Sequence, residues 1–485
     1  MNPEKIVRLL GMRYATAALV LLAVAALYGA AALSRPAADA TGPGRDAPVT
    51  SAVAVCPGKE GARLTVQSAS QDLLEAKGKQ PGRADLYPTR GGAPAGSLAS
   101  FGGGLLKDLP EPGDDSYTVR AQGALAAGLE AGQTTHWPGG EDRGLAGVRC
   151  ARPGTDQWFV GPGPVAAESV QLHLANVDRQ PAAVDLTALS GDGPLDTTDG
   201  RGIPVPPYGT KVIEIGKSAE GLGDTVRTAS DLALRVRATA GRVAASVRVR
   251  IAGGKGIDWV PLSPSPATSL IVPGVPAGEG RRRLLVAVPG EENAGIKVQV
   301  IGPDGAFAPE GQDTLDAPAG TVTAVDLDRA LSGKPAAVRL VSDRPILAGL
   351  DAQKGADVAY GTATPPLAPG GFGAVSDNRF DTTVTLTAPH GPADVRITPM
   401  TAQGPGAPKD VRIPSERTVD VRLPAPSGAN QGLLIAPRPG SGPVHAVRVQ
   451  STGKDDKALF TTLPVPPAVT TVHLPPVGDT QGVLY

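Results

Sequence analysis

Aromatic residues are scarce, with Phe, Trp and Tyr making up 3% of the 485 residues. That excludes a broad ring-lined platform for sugars or bases. Charge is also thin at 19%, split into 46 basic and 47 acidic residues for a net charge of −1. There is no basic footprint for nucleic acid and no acidic tail, so nucleic acid is not an expected partner. Two cysteines and five histidines are few, and no histidine stands at ligand spacing from Cys56 or Cys150. No metal site or other cofactor is therefore expected.

Glycine (63) and proline (49) are abundant, and 41% of the residues are apolar. A patterned chain with so many turn formers is one of short strands, not a mostly helical protein. Its length exceeds one ordinary domain of about 100–200 residues.

One long charge-free run exists, the 19 residues Ala15 to Leu33. As a helix it spans roughly 28 Å, close to a bilayer's hydrocarbon thickness. Lys5, Arg8 and Arg13 precede it, so the positive-inside rule keeps residues 1–14 in the cytoplasm and places the bulk outside. A cleaved signal peptide has a shorter apolar core, about 7–15 residues. Its candidate cleavage site, Ala38-Asp39-Ala40, lies beyond the run. The expectation is a retained, single-pass signal anchor over 15–33, followed by a flexible tether over 34–50. Cys56 and Cys150 then sit in an oxidising compartment and are expected to pair. The loop so closed would contribute on the order of 4–5 kcal/mol by the chain-entropy argument.

Beyond the tether the sequence repeats. Trp158, Trp259, Tyr360 and Phe460 are spaced by 101, 101 and 100 residues. Each follows a Gly/Asp turn, as in Gly256-Ile257-Asp258 and Gly355-Ala356-Asp357. Each precedes prolines: Pro162 and Pro164, Pro264 and Pro266, Pro365 and Pro366, Pro464 and Pro466. Proline cannot continue a central ladder, so these mark unit boundaries, and the aromatic reads as a core residue of each unit's last strand. Alternating segments keep step. Leu232–Arg237 and Val243–Ile251 read as a hairpin, and Val338–Val341 and Ile346–Ala348 as strands broken by Ser342-Asp343-Arg344-Pro345. The pattern predicts an all-β protein of tandem antiparallel, immunoglobulin-like β-sandwich units. The predicted ranges are 51–165 (a modified unit with the disulfide, a helical stretch at 71–77 and the character of an array cap), 166–266, 267–366 and 367–485.

Motifs for chemistry fail on inspection. Gly216-Lys217-Ser218 lacks the upstream glycine of a phosphate loop, and Leu98-Ala99-Ser100-Phe101-Gly102 lacks the first glycine of a nucleophile elbow. The aspartates between Asp192 and Asp199 do not match an EF-hand. Arg281-Arg282-Arg283 reads first as a solvated strand edge and second as a contact for anionic envelope polymer or lipid. No catalytic residue is nominated. The candidate ligand contacts are His136 and Trp137, read as lying in an inserted loop.

Cys56-Pro57-Gly58, Gly144 to Cys150 and Pro153-Gly154-Thr155-Asp156-Gln157-Trp158-Phe159, together with the Val/Pro-rich repeats, resemble an actinobacterial family of exported, membrane-anchored proteins of unknown function. The resemblance spans residues 15–485. It implies location and fold and carries no catalytic residues to transfer. The expected role is a non-enzymatic cell-envelope protein at the cell membrane: a rod of β units with a structural or interaction role toward envelope glycan or envelope proteins. The alternatives are a cell-wall polysaccharide-binding module and, third, an exported hydrolase.

Overall fold

The structure is a computed structural model that describes residues 3–33, 44–58, 61–68, 82–100, 104–109, 115–195, 197–377, 379–401, 404–423, 430–454 and 457–475. The expected helical stretch at 71–77 and the candidate cleavage site at 38–40 lie outside the described residues. The chain forms two compact units, residues 48–470 and the two ends, 1–47 with 471–485. In the end unit a helix covers Pro3–Leu33, and Arg45–Pro48 pairs with Thr471–Leu474. Leu19, Leu21, Leu22 and Leu27 on that helix are exposed. Among the described residues no helix is long and apolar enough to cross a membrane.

Residues 48–470 are all-β, in antiparallel sheets grouped as four sheet pairs. The second pair shows the plan. One sheet runs in the order Asp156–Pro162, Asp231–Ala240, Ala182–Ser190 and Gly193–Leu195, and the other Thr210–Glu214, Ser169–Ala175, Ala244–Arg250 and Ile257–Val260. Ala182, Val184, Leu186 and Ala188 are buried while the residues between them are half-exposed, as a period of two requires. They face Leu172, Leu174, Val247 and Val249 in one core. The same strand order recurs in the other pairs, each around a core of its own. In every pair the first strand edges one sheet and the last strand edges the other. The opening strands are Ser51–Cys56, Asp156–Pro162, Ala267–Val275 and Gly373–Ser376. The closing strands are Gly144–Arg149, Ile257–Val260, Asp357–Thr362 and Leu459–Val465.

Three sequence expectations are corrected here. Asp231–Ala240 and Ala244–Arg250 are consecutive strands but not a hairpin, because they belong to opposite sheets. The chain turns the corner at Gly241, whose φ of +68° suits glycine and where an added Cβ would stand 3.1 Å from that of Ala182. In the third pair Ser342-Asp343-Arg344-Pro345 does not break the strand. Ala336–Lys354 runs through both sheets, pairing with Ala267–Val275 and Ala294–Gly302 and then with Arg281–Ala287 and Asp357–Thr362. Finally, Trp259, Tyr360 and Phe460 lie on closing strands, but Trp158 lies on an opening strand. The spacing of 101 from Trp158 to Trp259 therefore joins positions that are not equivalent.

The pairs do not form a rod. Each opening sheet lies against the closing sheet of the next pair, and the fourth returns to the first. Val53 and Val55 of the first pair pack with Ala175, Val177 and Ala244 of the second. Trp158, Val160 and Ala233 of the second meet Leu285, Ala287, Val322 and Leu347 of the third. The third meets the fourth where Thr418 Oγ1 donates to the Ile301 carbonyl at 2.6 Å. The fourth meets the first where Arg379 Nη2 donates to the Thr134 carbonyl at 3.2 Å. Eight sheets thus close a ring, and the first pair is a full member with neighbours on both sides, not a terminal cap. The closing contact is polar: Gln67, Gln133, Ser376, Arg448 and Gln450 are all buried in the two pairs that meet there.

Candidate functional site

Closing a ring creates a problem at its centre. The four closing strands are sheet edges, and each is adjacent to two others around the axis. Edge strands carry unpaired N–H groups that burial makes costly. Two aspartates accept them. Asp258, fully buried, takes the N–H of Gly147 in the first pair at 2.9 Å and the Thr461 hydroxyl of the fourth at 2.9 Å. Asp357, also fully buried, accepts the Phe460 N–H of the fourth pair at 2.7 Å. The residues expected to be turn aspartates are strand residues that tie the sheet pairs together across the axis. Burial pushes both carboxyls up, Asp258 well above the usual carboxylate range and Asp357 to about 7. Tyr360, three residues past Asp357 and fully buried, has its phenol pushed up for the same reason, by burial first and nearby acidic groups second.

At the end of the axis reached by the C-termini of the closing strands is a half-open cavity of about 340 Å³. All four pairs contribute to it. The first gives the segment Arg149 to Arg152, and the others give the ends of their closing strands and the segments that follow them, including Pro264, Pro365 and Pro466. Those segments hold the two sheets of each pair together. Ala151 pairs with Val55, the Ser263 N–H bonds to the Trp158 carbonyl at 2.9 Å, the Thr364 N–H to that of Ile271 at 3.1 Å, and the Ala468 N–H to that of Phe372 at 2.8 Å. Four of the eight prolines expected as boundary markers, Pro264, Pro365, Pro464 and Pro466, therefore line a common cavity. They have no N–H to present, and most hydroxyls in the wall are already engaged. Thr362 Oγ1 donates to Ser263 Oγ at 3.1 Å, Thr364 Oγ1 lies 3.1 Å from His445 Nδ1, and Thr462 Oγ1 donates to the Tyr360 carbonyl at 2.8 Å. The wall that remains is apolar.

Cys56 and Cys150 form a disulfide, both nearly inaccessible, and Cys150 backs the cavity. His136 and Trp137 do not sit in an inserted loop. They end the strand Leu129–Trp137, where Trp137 lies opposite Gly144, at the far end of the first closing strand from the cavity. The guanidinium of Arg248 covers the Trp137 ring at 5.3 Å, and His136 packs edge-on to Phe380 at 5.4 Å. His136 is exposed and Trp137 half-buried.

The arginine cluster is consumed by structure. Arg283 pairs with Asp231 of the second pair at 2.8 Å and Asp351 of its own at 2.7 Å, and Arg282 is buried against the carbonyls of Gly278 and Gly280. Ser218 caps a short 3₁₀ turn by accepting from the Gly221 N–H at 3.3 Å. Among the described residues no group of three or more His, Cys, Asp or Glu could hold a metal ion.

Sequence reasoning missed Asp258, Asp357 and Arg152. The two aspartates carried a signal, since each recurs after a glycine near a repeated aromatic, but that pattern equally describes an ordinary turn. Arg152 carried none.

A protein-family model described as a family of unknown function (DUF5719) matches residues 108–424, a narrower span than the one the sequence resemblance suggested. None of the curated proteins compared matches the chain.

Proposed function

The chain belongs to this family of unknown function, which assigns it no chemistry, and we propose that it is a non-catalytic, membrane-tethered protein of the cell envelope that binds a partner through its axial cavity. The cavity carries the reading. All four sheet pairs, which we read as immunoglobulin-like sandwiches, contribute to its surface, and an apolar concavity with few polar groups is the usual form of a ligand site. The absence of a role for catalysis in this reading rests on where the acids are. Asp258 and Asp357 are wholly buried and engaged with the edges of closing strands, where no substrate could reach them.

The extracytoplasmic placement rests on two supports. The charge-free run of Ala15 to Leu33 behind Lys5, Arg8 and Arg13 has the sequence pattern of a signal anchor, while among the described residues no helix is long and apolar enough to cross a membrane. The disulfide is of the kind that persists in oxidising compartments.

A reporter phosphatase fused after Tyr485 tests the placement. The fusion is expected to be active outside the cytoplasmic membrane and to stay in the membrane pellet after a carbonate wash. An inactive fusion, or a shortened soluble chain, would overturn the reading.

A further inference from the structure

The cavity's lining combines apolar residues with two arginines, and the combination selects a ligand. The wall is built from prolines, Leu262, Val469 and Trp259, with its hydroxyls tied up as described. Two arginines also line the cavity. Arg149 is committed, because its Nη2 pairs with Glu130. Arg152 is not. Its side chain is exposed, it lines the cavity, and among the described residues no hydrogen bond or ion pair engages its guanidinium. Arg149 and Glu130 act on it only through space, and the surrounding protein partly desolvates it, holding its pKa below the ordinary value.

We propose that this cavity takes a single acyl chain ending in a carboxylate, with the chain against the proline-rich wall and the carboxylate on Arg152. Charge complementarity carries the choice of head group: an unengaged guanidinium beside an apolar pocket matches one anion, and its planar fork suits a carboxylate. Size carries the choice of a single chain, since about 340 Å³ lies at the small end of ligand pockets, roughly 300–1,000 Å³. The inference deepens the reading of the cavity as the binding site and depends on it.

The test uses the full chain in phosphatidylcholine vesicles with two photoreactive probes, a diazirine-bearing hexadecanoate and the matching hexadecanol. Labelled peptides are mapped by mass spectrometry. The hexadecanoate is expected to label the segments 259–264 and 462–469 at least tenfold more than the alcohol does, the order of a hydrogen bond to a charged group. Arg152→Gln should remove that preference and leave the weaker alcohol labelling unchanged. Leu262→Asp changes a surface-accessible position, 41% exposed, and should abolish labelling by both probes while circular dichroism remains native. Equal labelling by acid and alcohol in the unaltered chain, or acid labelling indifferent to Arg152→Gln, overturns the carboxylate assignment and leaves the cavity reading standing. No labelling of either segment by either probe overturns the cavity reading as well.

Discussion

Replacing Cys56 and Cys150 together with alanine is expected to destabilise the first sheet pair by on the order of 4 kcal/mol, the loop-closure value for a bridge between positions this far apart. The two residues are 94 apart in sequence. Cys56 ends the opening strand and Cys150 follows the closing strand, so the bridge fastens the same seam that backbone hydrogen bonds fasten between Trp158 and Ser263 or Ile271 and Thr364. The natural observable is native-state hydrogen exchange, because four cores in a ring need not melt in one step. Amides of Ala62–Ser68 and Leu129–Trp137 should lose several hundredfold protection in the variant. Those of the third pair, which meets the first at the axis, where Arg143 Nη1 donates to the Ala356 carbonyl at 2.8 Å, and not through a sheet face, should lose far less. A change below about 1 kcal/mol in the first pair would show that the ring's interfaces, not the bridge, hold it.

The second expectation concerns pH. The Asp357 carboxyl keeps its proton up to about pH 7 in the folded chain, against 3.8 ordinarily. Between those values the folded state binds more protons than the unfolded state. The contribution is fully present below pH 3.8 and is lost as pH rises through about 7. A shift of that size corresponds to on the order of 4 kcal/mol. Asp258 acts in the same direction.

His445 acts in the opposite one. Burial lowers its pKa to about 4, so its contribution is present above pH 6.5 and is lost as pH falls through about 4. The clean quantity is therefore a difference. Asp357→Asn loses an acceptor at every pH, but relative to the unaltered protein it should gain on the order of 4 kcal/mol between pH 4 and pH 8. Denaturant titrations at the two pH values measure this. A stability gap between variant and parent that does not move with pH would mean that Asp357 is ionised throughout the range.

The residues show which features were legible in advance and which were not. Alternation in Leu232–Arg237 and proline brackets at Pro264, Pro365 and Pro464 revealed strands and unit ends, because side-chain period and the missing proline N–H are local properties. The disulfide followed from compartment and count. Which sheet a strand joins is not local, and so Asp231–Ala240 and Ala244–Arg250 passed for a hairpin. Ring closure left one faint trace. Leu284-Leu285-Val286-Ala287-Val288 and Leu433-Leu434-Ile435-Ala436 are apolar on consecutive residues, which means a sheet covered on both faces. A rod of separate sandwiches would leave one face of each sheet in water. In the ring, Leu284 and Val286 enter the third core while Leu285 and Ala287 meet the second pair. The cavity was illegible because no segment contains it. It exists only where four segments, each about a hundred residues from the next, converge.

Contact between the first and fourth sheet pairs separates a ring from a rod, and a cross-link can measure it. A Cβ on Gly132 of the first pair would stand 3.8 Å from the Cβ of Ser376 of the fourth, the mean separation in disulfides, about 3.8 Å. With Gly132→Cys and Ser376→Cys introduced together, air oxidation of the full chain should yield a new intramolecular bridge. Peptide mapping without reductant would detect it beside the native Cys56–Cys150 link. Two unreacted thiols at these positions in an otherwise native, oxidised chain, or bridges only between separate molecules, would contradict the ring and the cavity at its centre.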